Sequence, residues 1–360
     1  MTNNNKTRIV VGLSGGVDSS AAASLLVAQG YDVVGITLKV WPQDCVSRAE
    51  DKCCGPQAVM DARSVADKLD IPYYLVDESK EFQRDVIDYF AAEYKAGRTP
   101  NPCVMCNEKL KFGNLIDRAR KLGAEYVATG HYARLEQRNG RTVLLRGKDA
   151  RKDQTYFLFS LGQEQLAHMM FPLGELQKSE TREVARCVNL KTAEKQESQE
   201  ICFVPDKDYK KFLTTAGLVE EHRGEIVDTR GQVLGHHDGI EFYTIGQRKG
   251  LGISSPSPRY VIELDPENNR VVVGGEELLL RDEFRIDRCN WIAFDHLAKP
   301  IEASAAIRYN HPGTEATVIP GENGQATVKL REPQRAVTPG QACVFYQSDL
   351  VVGGGWIMRD

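Results

Sequence analysis

Short apolar runs alternate with longer amphipathic stretches through the first third of the chain. Residues 8–13, 32–38, 73–76 and 126–129 are rich in Val, Ile, Leu and Tyr, whereas 19–29, 56–69, 82–96 and 112–122 space their apolar residues at helical intervals. Runs of that length are strands, and strands separated by helices pair in parallel, because a parallel neighbour needs a crossover connection. The pattern predicts an α/β fold whose N-terminal part is a doubly wound parallel sheet. Helical spacing continues over 179–189. Beyond Lys210 the period changes, and Gly-rich turns such as Asp228-Thr229-Arg230-Gly231 separate short strand-like runs. From Arg281 onward the segments 303–309, 315–319, 326–331 and 342–347 are short, β-rich and bounded by Pro, Gly and Asn, which predicts a small C-terminal β-barrel. The division that follows is an α/β domain over 1–209, a small central domain over 210–279 and the barrel over 280–360.

In an open parallel sheet, ligands gather beyond the carboxyl ends of the strands. Ser14-Gly15-Gly16-Val17-Asp18-Ser19 stands there, between the first strand and an Ala/Leu-rich helix. Paired glycines let backbone N–H groups approach an anion, and Ser19 and Ser20 place hydroxyls beside the free donors of a first helical turn. Phosphate is the ligand this turn suits. No lysine follows the glycines, so the Walker loop is excluded, and SGGxDS instead resembles the loop of the PP-loop ATP pyrophosphatases. Leu38 and the turn Gly130-His131-Tyr132 also fall at predicted strand ends and are candidates for the same nucleotide pocket.

With 360 residues, 41% hydrophobic and 27% charged, the composition is that of a globular protein, and the N-terminal stretch has neither a signal-peptide core nor a transit pattern. A cytoplasmic location without membrane partners is expected. A net charge of −4 does not mark a nucleic-acid binder, so any such contact must come from local basic patches. Nine cysteines scattered without an export signal argue for reactive or metal-binding thiols over a disulfide scaffold. Cys103 and Cys106 lie in a predicted turn between two helices, and Cys202 stands far downstream. Thiolates are favoured by nearby lysines such as Lys109 and Lys111. Burial as small apolar groups and a zinc site are the competing readings, the latter lacking a second ligand pair. Cys45, Cys53 and Cys54 read as incidental thiols in a loop after Trp41, and Cys187, Cys289 and Cys343 as core.

The segments SGGVDSS, NPCxxCNxxxKF, GHYAR, KDQTYFL, the Cys202 stretch, YTIGQRKGLGI and TPGQACVFY together resemble the tRNA-specific 2-thiouridylase family, over nearly the whole length. The resemblance implies a PP-loop catalytic domain, related to the adenine nucleotide α-hydrolases, that adenylates the C2 carbonyl of the wobble uridine of tRNA and replaces the oxygen by sulfur. It also implies residue roles. Gly12, Leu13, Ser14, Gly15, Gly16, Val17, Asp18 and Ser19 would cradle ATP, Leu38 and Gly130 would line its adenosine side, and Asp18 would help hold Mg²⁺. Cys202 would carry sulfur as a persulfide and Cys106 would release it by closing a disulfide. Asn101, Pro102 and Cys103 would meet the target base, flipped out of the anticodon stack. His131, Lys152, Asp153, Gln154, Arg308, Tyr309 and Gln341 would contact tRNA. Basic residues also cluster at Lys109, Lys111, Arg118, Arg120 and Lys121, at Arg146, Lys148, Arg151 and Lys152, and at Arg248 and Lys249. A sulfur-donor relay protein or a cysteine desulfurase is the implied protein partner.

One position departs from the best-known members of the family, which carry aspartate where this chain has Cys103. Three thiols, Cys103, Cys106 and Cys202, match a [4Fe–4S] cluster with one open iron as an alternative to the persulfide relay. Two further readings remain at this level: a PP-loop ligase that adenylates another substrate and adds an amine, and an ATP sensor without turnover.

Overall fold

A computed structural model describes residues 6–40, 55–195 and 201–359. Cys45, Cys53 and Cys54 lie outside the described residues. The chain separates into two compact units, one of Met1–Val86, Cys103–Lys207 and Asp349–Val351, the other of Ile87–Pro102, Asp208–Ser348 and Val352–Asp360.

In the first unit the expected strands form within a residue or two of their predicted limits. They are β1 (Arg8–Gly12), β2 (Asp32–Lys39), β3 (Tyr73–Asp77) and β4 (Tyr126–Ala128). A hairpin of β5 (Ala133–Arg138) and β6 (Arg141–Arg146) follows, and then the short β7 (Met169–Met170). The sheet runs β3-β2-β1-β4-β7 with every neighbour parallel. Its order therefore reverses between β1 and β4. Helix α1 (Val17–Ala28) follows β1 with Ala21, Ala22, Ala23 and Leu26 fully buried, and even Ser19, Ser20 and Ser24 are covered. A helix this small-sided packs closely, here against β1, β2 and the helix Lys178–Cys187. Ile9, Val11, Leu13, Val17, Val33, Val65 and Ala128 close the core beneath it.

The turn expected over 101–107 is instead the start of a helix. Pro102–Met105 is α-helical, Cys106–Asn114 is wound as a π-helix, and Leu115–Lys121 returns to α. Proline is well placed in a first turn because its missing N–H is one the helix leaves unused. The predicted helix over 82–96 likewise forms as Ser79–Phe82, π-helical Gln83–Asp88 and Tyr89–Lys95.

The second unit carries a four-stranded sheet of β8 (Gly224–Asp228), β9 (Val233–His237), β10 (Tyr260–Asp265) and β11 (Arg270–Gly274), ordered β10-β11-β8-β9. The expected barrel is formed by β12 (Leu280–Trp291), β13 (Ile301–Ala306), β14 (Thr314–Pro320), β15 (Ala326–Arg335), β16 (Ala342–Gln347) and β17 (Leu350–Ile357). Its order is β12-β15-β14-β13-β16-β17, and β17 pairs back on β12 through Ile286 with Ile357 and Asp287 with Trp356. Phe284, Ile286, Val318, Val328, Phe345 and Val352 fill it. Trp291 stacks on Phe345 with ring centroids 5.9 Å apart. Phe345→Ala is expected to lower stability by about 3–5 kcal/mol, read as an earlier urea midpoint by tryptophan fluorescence.

Candidate functional site

The loop Leu13–Gly16 leaves β1 at the point where the sheet order reverses, which is where an open α/β sheet opens a crevice. The loop is folded on itself. Ser14 N–H donates to Ser19 Oγ at 3.1 Å, and the Ser19 and Ser20 hydroxyls donate to the Gly16 carbonyl at 3.2 and 2.7 Å. No side chain caps α1 at Gly16, so the first-turn N–H groups remain for an anion. Gly15 has φ +69°, and a Cβ there would lie 2.2 Å from the carbonyl oxygen of Ala58, which only glycine permits. Lys195 ties the same loop from the other side, donating to Gly15 O at 3.1 Å and to Asp61 Oδ2 at 2.7 Å.

The Gly130 turn, at the end of β4, meets this loop backbone to backbone. A Cβ on Gly130 would stand 2.7 Å from both the carbonyl carbon of Asp18 and the amide nitrogen of Ser19. Leu38 lies at the carboxyl end of β2, whose Ile36 accepts from Leu13 N–H at 2.8 Å and whose Thr37 hydroxyl donates to Leu13 O at 2.7 Å. Gly12 to Ser19, Leu38 and Gly130 are therefore gathered at one end of the sheet.

Asp18 is the charged centre of that end. Its Oδ1 accepts from Lys178 Nζ at 2.7 Å and from the Tyr132 hydroxyl at 2.9 Å, and that hydroxyl lies 2.9 Å from Thr181 Oγ1. Lys178 is only 12% exposed and also sits 5.7 Å from the Tyr132 ring centre. Paired with this nearly buried ammonium, the Asp18 carboxylate does not set an uncompensated negative charge beside the glycine loop.

The thiol helix is braced from the same unit. Winding to i+5 over Cys106–Asn114 displaces carbonyls from their usual partners, and Gln165 Nε2 satisfies two of them, Glu108 O at 3.2 Å and Phe112 O at 2.8 Å. Asn107 donates to Phe157 O at 3.1 Å, while its buried Oδ1 finds no partner among the described residues. Farther along, Asn114 and Arg118 hold the buried Glu78 at 2.7 and 3.1 Å. Glu78 opens the turn that carries Phe82, and Phe203, the residue after Cys202, docks edge-on to Phe82 at 5.7 Å. Cys106 and Cys202 are both half-buried. Cys103 keeps some exposed surface, yet desolvation of its sulfur, with Cys106 adding to it and Lys111 opposing, pushes its pKa from 9.0 to about 11. Among the described residues no three His, Cys, Asp or Glu side chains are grouped to hold a metal ion. Cys103, Cys106 and Cys202 are thus not assembled as cluster ligands in this structure.

The residues expected at RNA fall into two sets. Lys152 is half-buried, and Arg308 and Tyr309 are exposed on the barrel. Arg308 also donates to Arg335 O at 3.4 Å, and the remaining four have internal partners too. Asp153 accepts from Gly147 N–H, Thr155 and Arg146, Gln154 Oε1 accepts from Tyr132 N–H at 3.1 Å, and Gln341 donates to two backbone carbonyls. His131 is packed between Phe112 and Phe171, its Nδ1 2.8 Å from Thr129 Oγ1, and burial with Lys111 nearby holds its pKa well below the usual imidazole value. Of the basic groups, Arg118 pairs with Glu78, Arg120 with Glu164 and Arg146 with Asp153.

Three family models cover the chain. One described as a tRNA methyl transferase HUP domain matches residues 7–206, a tRNA methyl transferase PRC-barrel domain matches 210–275, and an aminomethyltransferase beta-barrel domain matches 281–357. Curated relatives named tRNA-specific 2-thiouridylase MnmA are similar end to end. That of Clostridium perfringens is 49% identical over 98% of both chains. That of Moorella thermoacetica is 51% identical over 97% of this chain and 98% of its own. That of Heliobacterium modesticaldum is 50% identical over 99% and 93%. The chain belongs to the tRNA-specific 2-thiouridylase family.

In this member of the 2-thiouridylase family, Lys178, Lys195 and Gln165 were not legible as functional, whereas Tyr132 stands in the turn already expected at the nucleotide pocket. Lys178 carries no motif signal of its own, since its partner Asp18 is 160 residues away. Lys178→Met is expected to cut pyrophosphate release by about 100-fold, as for loss of one preorganised charge partner, checked by a coupled phosphate assay with ATP and tRNA. For Cys103 the raised pKa favours the folded state below pH 9.0, and that contribution is lost as pH rises through about 11. Mass-spectrometric mapping of iodoacetamide labelling should accordingly show Cys103 slow at pH 8 and rising with a midpoint near pH 11.

Proposed function

We propose that this chain is an ATP-dependent tRNA-uridine 2-sulfurtransferase that converts the wobble uridine to 2-thiouridine. The observation that carries the reading is the phosphate loop closed by the Gly130 turn and charged by Lys178, in a chain about half identical to 2-thiouridylases along its whole length. The C2 carbonyl oxygen of uridine attacks the α-phosphate of ATP, pyrophosphate leaves, and the oxygen is left bonded to AMP, a far better leaving group. The α1 N-terminus and Lys178 offset the charge that builds on the phosphates during this step. Asp18, as one carboxylate beside that charge, suits Mg²⁺ only as an ion carried on the phosphates.

Sulfur then reaches C2 by a thiol relay. Cys202 receives sulfur as a persulfide from a donor protein or a cysteine desulfurase. The Cys106 thiolate attacks the Cys202 sulfur, hydrosulfide leaves, and a disulfide joins the two residues. Hydrosulfide adds at C2, AMP departs, and a thiol reductant resets the pair. A cluster held by Cys103, Cys106 and Cys202 is not supported by an arrangement in which they form no metal-holding group, and no step is routed through one. Cys103, kept as a neutral thiol, suits a surface that packs against a base better than an attacking role. Arg308, Tyr309 and Lys152 supply the RNA contacts, with phosphate pairing that weakens as salt rises.

A cytoplasmic location is part of the proposal because the proposed substrate is tRNA; no helix among the described residues is long and apolar enough to cross a membrane. The three-part division at 1–209, 210–279 and 280–360 serves as the working domain scheme. Nucleoside mass spectrometry on tRNA from cells lacking the protein should show loss of the 2-thio group, and persistence of that group refutes the assignment. Cys106→Ser and Cys202→Ser should each lower thiolation more than about 1,000-fold while leaving ATP-dependent pyrophosphate release within about threefold. A ligase without thiol chemistry would keep its full activity in both variants.

A further inference from the structure

Three carbonyls of the glycine loop are each held by a donor from elsewhere in the first unit or from the loop itself. Leu13 O accepts from the Thr37 hydroxyl at 2.7 Å, and Gly16 O from the Ser19 and Ser20 hydroxyls at 3.2 and 2.7 Å. Gly15 O accepts from Lys195 Nζ at 3.1 Å, across 180 residues of chain. The Gly15–Gly16 peptide is the one most in need of such a hold. With no Cβ on either side to restrict the torsions that flank it, a peptide between two glycines turns over at little cost. Its carbonyl and its N–H point in opposite directions across the trans bond. While Gly15 O faces Lys195, Gly16 N–H faces the other way and has no partner among the described residues. Turned over, the same peptide would present a carbonyl lone pair in that direction. The ammonium is itself fixed, because Asp61 Oδ2 accepts from it at 2.7 Å and Gln57 Nε2 donates to Asp61 Oδ1 at 2.9 Å. Asp61 lies one turn beyond Ala58 on the helix Pro56–Lys68, and Ala58 is the residue whose carbonyl closes on Gly15. Arg182 pins the backbone around Lys195, donating to Ala193 O at 2.6 Å and to Lys195 O at 3.3 Å.

We propose that Lys195 is a positioning residue for the nucleotide, acting through the Gly15 carbonyl to keep Gly16 N–H turned toward the phosphates, and not itself a phosphate contact. Its charge is matched by Asp61, so what it supplies is the direction of one peptide and not a positive field. The proposal rests on the reading of this loop as an ATP cradle and adds to it the residue that sets the cradle's orientation.

The test is the Kd of MgATP, measured by calorimetry on the full chain, for Lys195→Met, Asp61→Asn and the double variant. Lys195→Met is expected to weaken MgATP binding about 10- to 100-fold, the span for one hydrogen bond to a charged group, with the KM for ATP in pyrophosphate release rising alongside and the Kd for tRNA unchanged. Asp61→Asn separates positioning from contact, because the two predict opposite signs. Losing the carboxylate frees the ammonium and makes the loop more positive, so a Lys195 that touched phosphate would bind MgATP more tightly in this variant. A Lys195 that holds Gly15 O loses its anchor, and MgATP is expected to bind about three- to tenfold more weakly. The double variant should then be no weaker than Lys195→Met, since both substitutions remove the same hold. An affinity unchanged in Lys195→Met, or unchanged or raised in Asp61→Asn, overturns the proposal. Should Lys195→Met fail to fold, Asp61→Asn alone decides by the sign of its effect. A wild-type chain that binds no MgATP defeats the ATP reading and this proposal with it, whereas one that binds MgATP and thiolates no tRNA defeats only the sulfur-transfer reading and leaves the affinities to decide on Lys195.

Discussion

The site is built on a single close approach. Two loops leave adjacent parallel strands at the point where the sheet order reverses, and they touch with no side chain between them, Gly130 against the backbone of Asp18 and Ser19. The contact lies beside the first turn of α1, whose N-cap, Gly16, has no side chain to cap it. It also sets Tyr132, two residues on, within hydrogen-bond reach of Asp18, and brings Lys178 to the same carboxylate. Any side chain at position 130 would part the loops and undo all three.

The phosphate half and the thiol half of the site use opposite electrostatics. Around Asp18, a nearly buried ammonium neutralises the carboxylate, which leaves the partial positive charge of the α1 N-terminus unopposed. Around Cys103, burial outweighs the nearby lysine and keeps the sulfur protonated, so proximity to Cys106 does not give two thiolates side by side. The helix of Cys106–Asn114 is π-wound, and Gln165 donates to two of its carbonyls while Asn114 at its end holds Glu78. Wide turns of this kind are rare and concentrate at functional sites.

Much of the phosphate half was legible in the sequence, because its signals are local. The strand runs, the glycine pair and the Ala-rich helix each follow from a few neighbouring residues, and their observed limits differ little from those expected. The helix starting at Pro102 was misread as a turn: Asn, Pro and two cysteines in a row weaken the apolar spacing that marks a helix, and the contacts that stabilise it come from Gln165 and Glu78. Asp153, Gln154 and Gln341 were expected at RNA on the strength of motif positions, and the fold gives each an internal partner as well.

By itself the sequence determined the class of sheet, the anion loop, the β-rich end of the chain and the presence of thiols at positions 103, 106 and 202. Each depends on hydrophobic period or on glycine's freedom, properties carried within a dozen residues. Tertiary structure alone decided that Lys178 neutralises Asp18, that His131 stays uncharged behind two phenylalanines, and that Gln341 donates to the carbonyls of Thr99 and Pro100. Those outcomes turn on hydrogen bonds, ion pairs and burial between residues distant in the chain, whose geometry exists only once the backbone has closed.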